Sequence, residues 1–213
     1  MRVPAKAIAA CLTAAALGQQ AARFQPLPAS SYAARQTAEM VTIAAEPFDD
    51  KDRTRLAFGK ANPAKFGITP ILLVIANDSD RVLQLEGMRV QLITADRQKV
   101  EPVPAEDVER PQVRRPDLVP PTIPGIPAGK KKRKEGNVLQ YEARQFVERM
   151  VPAKTSAHGF FYFRTAGQTR SAGSNQAIRL AGSQVYITGL REAATGRDLF
   201  YFEINLDDYL KTR

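Results

Sequence analysis

The sequence contains no tryptophan, one cysteine and one histidine among its 213 residues. A single cysteine excludes an intrachain disulfide framework. Cys11 and His158 offer too few sulfur and nitrogen ligands for a structural zinc site, so we expect no metal and no other cofactor. No apolar run approaches the roughly 18 residues of a membrane-spanning helix. The sequence therefore predicts neither a disulfide scaffold, nor a zinc protein, nor a helical membrane protein.

Residues 1–18 have the three-part pattern of a secretory signal peptide. A basic start at Arg2 and Lys6 precedes an alanine-rich apolar stretch, which ends in small residues at the two positions that a signal peptidase reads. Cleavage is predicted after Gly18, with Ala21 as the alternative position. The protein is therefore expected to be exported, to a periplasm or to the medium.

Cys11 lies inside this segment and allows a second interpretation. Residues 8–11 read Ile-Ala-Ala-Cys, which are the residue types of a lipoprotein cleavage box with an acylated cysteine. Few apolar residues precede the box, which is short for a signal of this kind. We favour Cys11 as an ordinary small residue of the signal peptide. A lipid anchor in the envelope is the alternative, and membrane association is expected only if Cys11 is lipidated.

The net charge of +9 is concentrated in one segment rather than spread over the fold. Residues 110–135 contain eight basic and two acidic residues, while Arg2 and Lys6 leave with the signal peptide. The remaining body is close to neutral. A nucleic-acid-binding domain shows its basic residues on a structured face, so nucleic acid is not an expected partner.

The same segment is rich in proline, since eight of the 15 prolines lie between Pro102 and Pro127. Proline removes backbone donors and restricts the residue before it, which disfavours helices and central strands. Residues 110–136 are therefore predicted to be a disordered basic insertion. Near its end lies a run of five basic residues, which we call the cationic run: Lys130, Lys131, Lys132, Arg133 and Lys134. One interpretation is a solvated tip whose like charges repel one another. The other is a contact for anionic envelope polymers or lipid head groups.

The remaining chain predicts one mainly β domain over residues 41–213, after a flexible lead-in over residues 19–40. Short apolar or alternating runs separated by turn residues indicate strands at 41–45, 71–75, 82–85, 88–94, 160–163, 184–188 and 199–204. Asn77, Asp78, Ser79 and Asp80 predict a turn, and Pro70 is expected to begin its strand. One helix is predicted from Asn137 to about Met150. An antiparallel sandwich of immunoglobulin type fits this pattern best, although its usual cysteine and tryptophan marker is missing.

Two stretches are similar to bacterial exported immunoglobulin-like domains of unknown function. Residues 70–80, PILLVIANDSD, resemble the second strand and the following turn of that family. Residues 151–154, followed by Gly159 and the aromatic run 160–163, resemble its step from a proline to an aromatic strand. The resemblance implies a sandwich fold and an exported location, and it implies no catalytic residues.

No arrangement of residues predicts catalysis. His158 precedes a glycine at a strand and is read as a solvent-facing or capping side chain, and no Gly-x-Ser-x-Gly elbow occurs. The aspartates at 49–52 and 78–80 are read as turn residues rather than calcium ligands. Paired carboxylates are open from sequence, with Glu142 and Glu203 as neutral examples.

We therefore expect a non-enzymatic binding, structural or accessory module of the cell envelope, whose partner is a protein or an anionic envelope component. A binder of anionic polymers or lipids through the cationic run is the alternative. A carboxylate-dependent hydrolase is the third hypothesis.

Overall fold

The computed structural model describes residues 24–110, 135–165 and 180–212. In these ranges the chain is mainly β, and all pairs of named strands are antiparallel. The strands are β1 Arg35–Ala38, β2 Val41–Pro47, β3 Ile68–Asn77, β4 Leu83–Gln84, β5 Arg89–Ile93, β6 Lys99–Val100, β7 Pro102–Val103, β8 Met150–Val151, β9 Thr155–Arg164, β10 Gln184–Thr188, β11 Arg191–Glu192 and β12 Phe202–Asn205. The predicted mainly β, antiparallel fold is confirmed. Its assignment to the immunoglobulin type stays a prediction.

The strands form three sheets within the described residues. A five-stranded sheet has the order β1-β2-β3-β9-β7, a four-stranded sheet has the order β12-β10-β5-β6, and a small one has the order β11-β4-β8. The predicted strand 184–188 coincides with β10. The strand predicted around 71–75 extends from Ile68 to Asn77, so Pro70 lies inside it rather than at its start. The carbonyl oxygen of Pro70 accepts a hydrogen bond from the backbone N–H of Phe48.

The five-stranded sheet is buried on both faces, which explains its run of five aliphatic residues. Side chains alternate along a strand, and Ile71, Leu73 and Ile75 accordingly belong to one apolar cluster, whereas Leu72 and Val74 belong to another. The first cluster, which we call the inter-sheet core, also contains Val90, Leu92, Val185, Ile187, Phe202 and Ile204 of the four-stranded sheet. The two larger sheets therefore pack face to face.

The second cluster, which we call the helix-side core, lies on the opposite face of the five-stranded sheet. Its large members are Phe48, Phe58, Tyr141, Phe160 and Tyr162. Short helices cover it: α1 Lys51–Phe58 and α2 Glu135–Glu142, while α3 Asp207–Leu210 lies at the end of the chain. The Phe160 ring is 4.9 Å from Phe48 and 4.8 Å from Phe58, measured between centroids. Aromatic packing thus replaces a second facing sheet on this side.

One helix prediction is corrected, and one helix was missed. Helix α1 was not predicted, yet the Asp50 carboxylate caps it by accepting a hydrogen bond from Arg53 N at 2.8 Å. The helix predicted from Asn137 to about Met150 ends at Glu142. It ends there because the chain turns to pair with β9, where Phe160 N donates to Arg144 O and Phe146 N donates to Phe160 O.

The lead-in prediction is also corrected for part of its length. Arg35–Ala38 forms β1 and pairs with β2 over four residues, and Tyr32 and Ala34 are buried. The predicted signal peptide, residues 1–18, lies outside the described residues, as do positions 111–134 of the predicted basic insertion. At the ends of that insertion, Arg110 pairs with Asp107 at 2.5 Å and α2 begins at Glu135.

The predicted turn after β3 is confirmed, and the Asn77 side chain forms hydrogen bonds both within the turn and to a neighbouring segment. Asn77 is fully buried, and its Oδ1 accepts from the backbone N and the hydroxyl of Ser79. Its Nδ2 lies within hydrogen-bond distance of the carbonyl oxygens of Arg81, Val151 and Pro152. Asn77 therefore joins the end of the five-stranded sheet to the small sheet.

Candidate functional site

The sites predicted from sequence fall mostly outside the described residues. Cys11 lies there, and so does the whole cationic run of Lys130, Lys131, Lys132, Arg133 and Lys134. His158 lies on β9 and is exposed. Glu142 and Glu203 are exposed on α2 and β12.

The predicted turn aspartates have ordinary partners. Asp50 caps α1, Asp80 pairs with Lys154 at 3.1 Å, and Asp49 accepts from the Tyr209 hydroxyl at 3.0 Å. In residues 24–110, 135–165 and 180–212, no group of three or more His, Cys, Asp or Glu side chains is placed to hold a metal ion. Asp50 therefore stabilises a helix end, whereas Asp49 and Asp80 join their loops to distant parts of the chain.

Two exposed aromatic side chains and one half-buried tyrosine form a group at the outer face of the four-stranded sheet. We call Tyr186, Phe200 and Tyr201 the aromatic surface. Phe200 is 69% exposed and Tyr201 is 49% exposed. The Tyr201 ring lies 5.6 Å from Tyr186 and 6.4 Å from Phe200, measured between centroids. Large apolar side chains grouped in solvent are characteristic of interaction sites, whereas single ones are common on any surface.

The tip of the β1–β2 hairpin supports the aromatic surface. Glu39 and Met40 have φ angles of 49° and 63°, a left-handed conformation that is unusual for residues other than glycine. The Glu39 carboxylate pairs with Arg197 at 2.6 Å and accepts from the backbone N–H of Phe200 at 3.3 Å. The hydrogen bond from Arg197 lowers the pKa of Glu39. A strained turn is thus held in place beside the exposed rings.

A second pair of contacts fixes the loop that carries Phe200. Glu192 is buried and pairs with Arg81 at 3.3 Å and with Arg197 at 3.7 Å. Arg191 pairs with Asp198 at 2.6 Å across the same loop. Because several charges share one network, the loop is held more firmly than one exposed ion pair would hold it.

A groove of about 470 Å³ lies on the other side of the molecule, next to α2 and β9. Phe24, Gly159 and Phe160 line it together with Ala143, Arg144, Gln145, Val147, Glu148 and His158. We call it the Arg144 groove. A smaller groove of about 180 Å³ adjoins it, and Gln145 and Phe160 line both. Glu148 is the single carboxylate among the side chains that line the two grooves.

Arg144 is held against Phe24. Its guanidinium lies 5.5 Å from the centroid of the Phe24 ring, and Nη1 donates to the Phe24 carbonyl oxygen at 3.2 Å. Burial lowers the pKa of Arg144. No carboxylate in the described part of the chain lies within ion-pair distance of it.

The helix-side core contains two tyrosines, Tyr141 and Tyr162, whose hydroxyl groups are weaker acids than usual. The Tyr162 hydroxyl donates to the Tyr141 carbonyl oxygen at 2.8 Å, and the rings lie 5.8 Å apart. Burial raises the pKa of both hydroxyls, and the nearby Glu109 carboxylate raises the pKa of Tyr141 further. The Tyr141 hydroxyl and Glu109 Oε1 are buried without a hydrogen bond of good geometry. Polar groups therefore remain inside this core.

Sequence reasoning missed both surfaces. The sequence predicts a strand over 199–204, but β12 begins only at Phe202, and Phe200 precedes it in an exposed loop. The four consecutive large apolar residues at 199–202 are a usable signal, since a strand with one solvent-facing side cannot bury all of them. Arg144 lies inside the helix predicted from Asn137 to about Met150, and no local signal marks the turn after Glu142.

Comparisons with protein-family models, with curated proteins and with solved structures find no match to this chain. No helix within the described ranges is long and apolar enough to cross a bilayer.

Proposed function

We propose that the protein is an exported, non-catalytic, immunoglobulin-like module of the cell envelope, and that it binds another protein through the aromatic surface. The observation that carries the proposal is the group formed by the exposed Phe200 and Tyr201 with the half-buried Tyr186. Tyrosine and phenylalanine are enriched in protein interfaces, because a rigid ring buries much area at little entropic cost.

The surroundings of the aromatic surface support a protein partner. The Glu39–Arg197 pair and the strained hairpin tip preorganise the loop before any partner arrives. Preorganisation lowers the entropic cost of association. Polar side chains such as Gln91 and Glu203 flank Tyr186 on neighbouring strands, which gives the apolar centre a polar rim.

The experiment uses the full chain with a photo-crosslinking group placed beside Tyr201, produced in cells and recovered from the envelope fraction. A partner captured in this way is purified and titrated against the wild-type chain and the double variant Phe200→Ser, Tyr201→Ser. We expect the double variant to weaken the affinity about tenfold or more, because aromatic residues at an interface centre commonly contribute about 2 kcal/mol.

Leu56→Ser is the matched control, because Leu56 is also 69% exposed but lies on α1. It should leave the affinity unchanged. Equal affinities for the wild-type chain and the double variant would contradict the proposal, as would absence of the protein from the envelope fraction. Loss of binding only on charge reversal of Lys130, Lys131, Lys132, Arg133 and Lys134 would favour the cationic run instead.

A further inference from the structure

The Arg144 groove contains a positive charge that the described protein does not neutralise. Arg144 is half-buried, and the one described hydrogen bond of its guanidinium goes to the neutral carbonyl oxygen of Phe24. A guanidinium has five N–H donors, so most of its hydrogen-bonding capacity is unused by the described residues. Withdrawing a cation from water without an anionic partner is costly, which makes this groove favourable for an anion.

The rest of the groove is suited to an apolar body. Phe24 and Phe160 contribute rings whose centroids lie 5.6 Å apart, and Val147 and Ala143 add aliphatic surface. A volume of about 470 Å³ is in the range that encloses small organic ligands. Gln145 and the exposed His158 provide further polar groups along the same lining.

We propose that the Arg144 groove binds a small amphipathic carboxylate, with the carboxylate on the Arg144 guanidinium and an apolar ring or chain against Phe24 and Phe160. Arginine favours carboxylates because its planar fork can donate two parallel hydrogen bonds to the two oxygens. Glu148 lies in the same lining and opposes an anion. The site is therefore selective for a single negative charge placed close to Arg144. This ligand site is independent of the aromatic surface.

The test compares 2-naphthoate with 2-naphthamide, which has nearly the same shape and no charge. Binding to the full chain is followed by calorimetry or by the fluorescence of the naphthyl ring. We expect wild-type protein to prefer the carboxylate, and Arg144→Met to weaken naphthoate binding about tenfold or more with little change for the amide. Glu148→Gln should tighten naphthoate binding a few-fold, because it removes a like charge from the lining.

Arg149→Met is the matched control, since Arg149 is an exposed arginine five residues further along that does not line the groove. It should bind naphthoate like the wild-type chain. No saturable naphthoate binding, equal affinity for acid and amide, or equal weakening by Arg149→Met would overturn the proposal. If Arg144→Met does not fold, the acid-to-amide preference of the wild-type chain and its increase in Glu148→Gln decide the question, and absence of either overturns it.

Discussion

The two faces of the five-stranded sheet are covered in different ways. On one face, the four-stranded sheet supplies a regular partner, and the inter-sheet core is built largely of aliphatic residues from paired strands. On the other face, short helices and irregular segments cover a core that is richer in aromatic residues and that also buries polar groups such as the Tyr141 hydroxyl. The same central strands therefore support an ordered layer and an irregular one.

This difference has consequences for the outer surface on each side. Strand pairing holds the four-stranded sheet at regular spacing, and the aromatic surface lies on its outer face. Helices and loops leave gaps between them, and the Arg144 groove lies in such a gap beside β9. The sheet side thus suits a protein partner and the helix side suits a small ligand.

The largest expected effect comes from removing one ring from each core. Phe163 belongs to the inter-sheet core and Phe160 to the helix-side core, and both are almost completely buried on the same strand. Each Phe→Ala substitution should lower the free energy of unfolding by about 3–5 kcal/mol, measured by denaturant titration. Hydrogen exchange should differ: Phe163→Ala should accelerate exchange in both large sheets, whereas Phe160→Ala should first accelerate it in α1 and α2.

Leu139→Ala serves as the control, because Leu139 is 61% exposed, and its stability should change by less than about 0.5 kcal/mol. Identical exchange patterns in the two phenylalanine variants would contradict the distinction between an ordered and an irregular layer.

A smaller loss of stability is expected from substituting Gly159, which lies on β9 beside the segment that contains Phe146. A Cβ on Gly159 would lie 2.4 Å from the Cα atom of Phe146, whose chain segment crosses the edge of β9. Gly159→Ala should therefore displace this segment and lower the free energy of unfolding by about 1–3 kcal/mol. It should also alter naphthoate binding, because Gly159 lines the Arg144 groove.

Gly196→Ala is the comparison for this glycine. Gly196 has a φ of 68° and no neighbour within 4 Å of an added Cβ, so its cost of about 1 kcal/mol should arise from backbone conformation alone. A Gly159→Ala variant as stable as wild type would show that the segment at Phe146 yields without cost.

The smallest expected change in the free energy of unfolding at moderate pH comes from Tyr141 and Tyr162, the buried tyrosine pair of the helix-side core. Because burial raises the pKa of Tyr141 and Tyr162, the folded protein keeps protons that the unfolded chain loses near pH 10. Stability from this source is fully present below about pH 10 and should decline as the pH rises towards the folded-state values. The slope should be about 1.4 kcal/mol per pH unit for each tyrosine.

Denaturant titrations across the alkaline range measure this slope, and Tyr162→Phe should make it shallower. Tyrosine ionisation is followed independently by the ultraviolet absorbance of tyrosinate. If all six tyrosines ionise near pH 10 while the protein is still folded, the raised pKa values of Tyr141 and Tyr162 are contradicted.

The sequence predicted the parts of the fold that depend on local pattern. The aliphatic run at Ile71 and the alternation of Val185 with Ile187 identified β3 and β10, because the hydrophobic pattern of a strand depends only on residues that are close together in the sequence. Helix α1 was missed since its apolar residues are few, and its cap at Asp50 read as a turn.

The positions of the two candidate surfaces were not predicted, because each depends on contacts between distant segments. Phe200 is fixed by Glu39, which lies 161 residues away in the chain. Arg144 meets Phe24 across 120 residues. The pairing of such distant positions is set by strand order, which single residues do not encode.

The most direct test of the central claim, that the aromatic surface binds a protein partner, is one affinity measurement on three chains. The purified cross-linked partner is titrated against wild type, against Phe200→Ser with Tyr201→Ser, and against Arg144→Met. We predict that the aromatic double variant loses about tenfold or more in affinity while Arg144→Met binds the partner like wild type. Unchanged affinity of the aromatic double variant would contradict the claim.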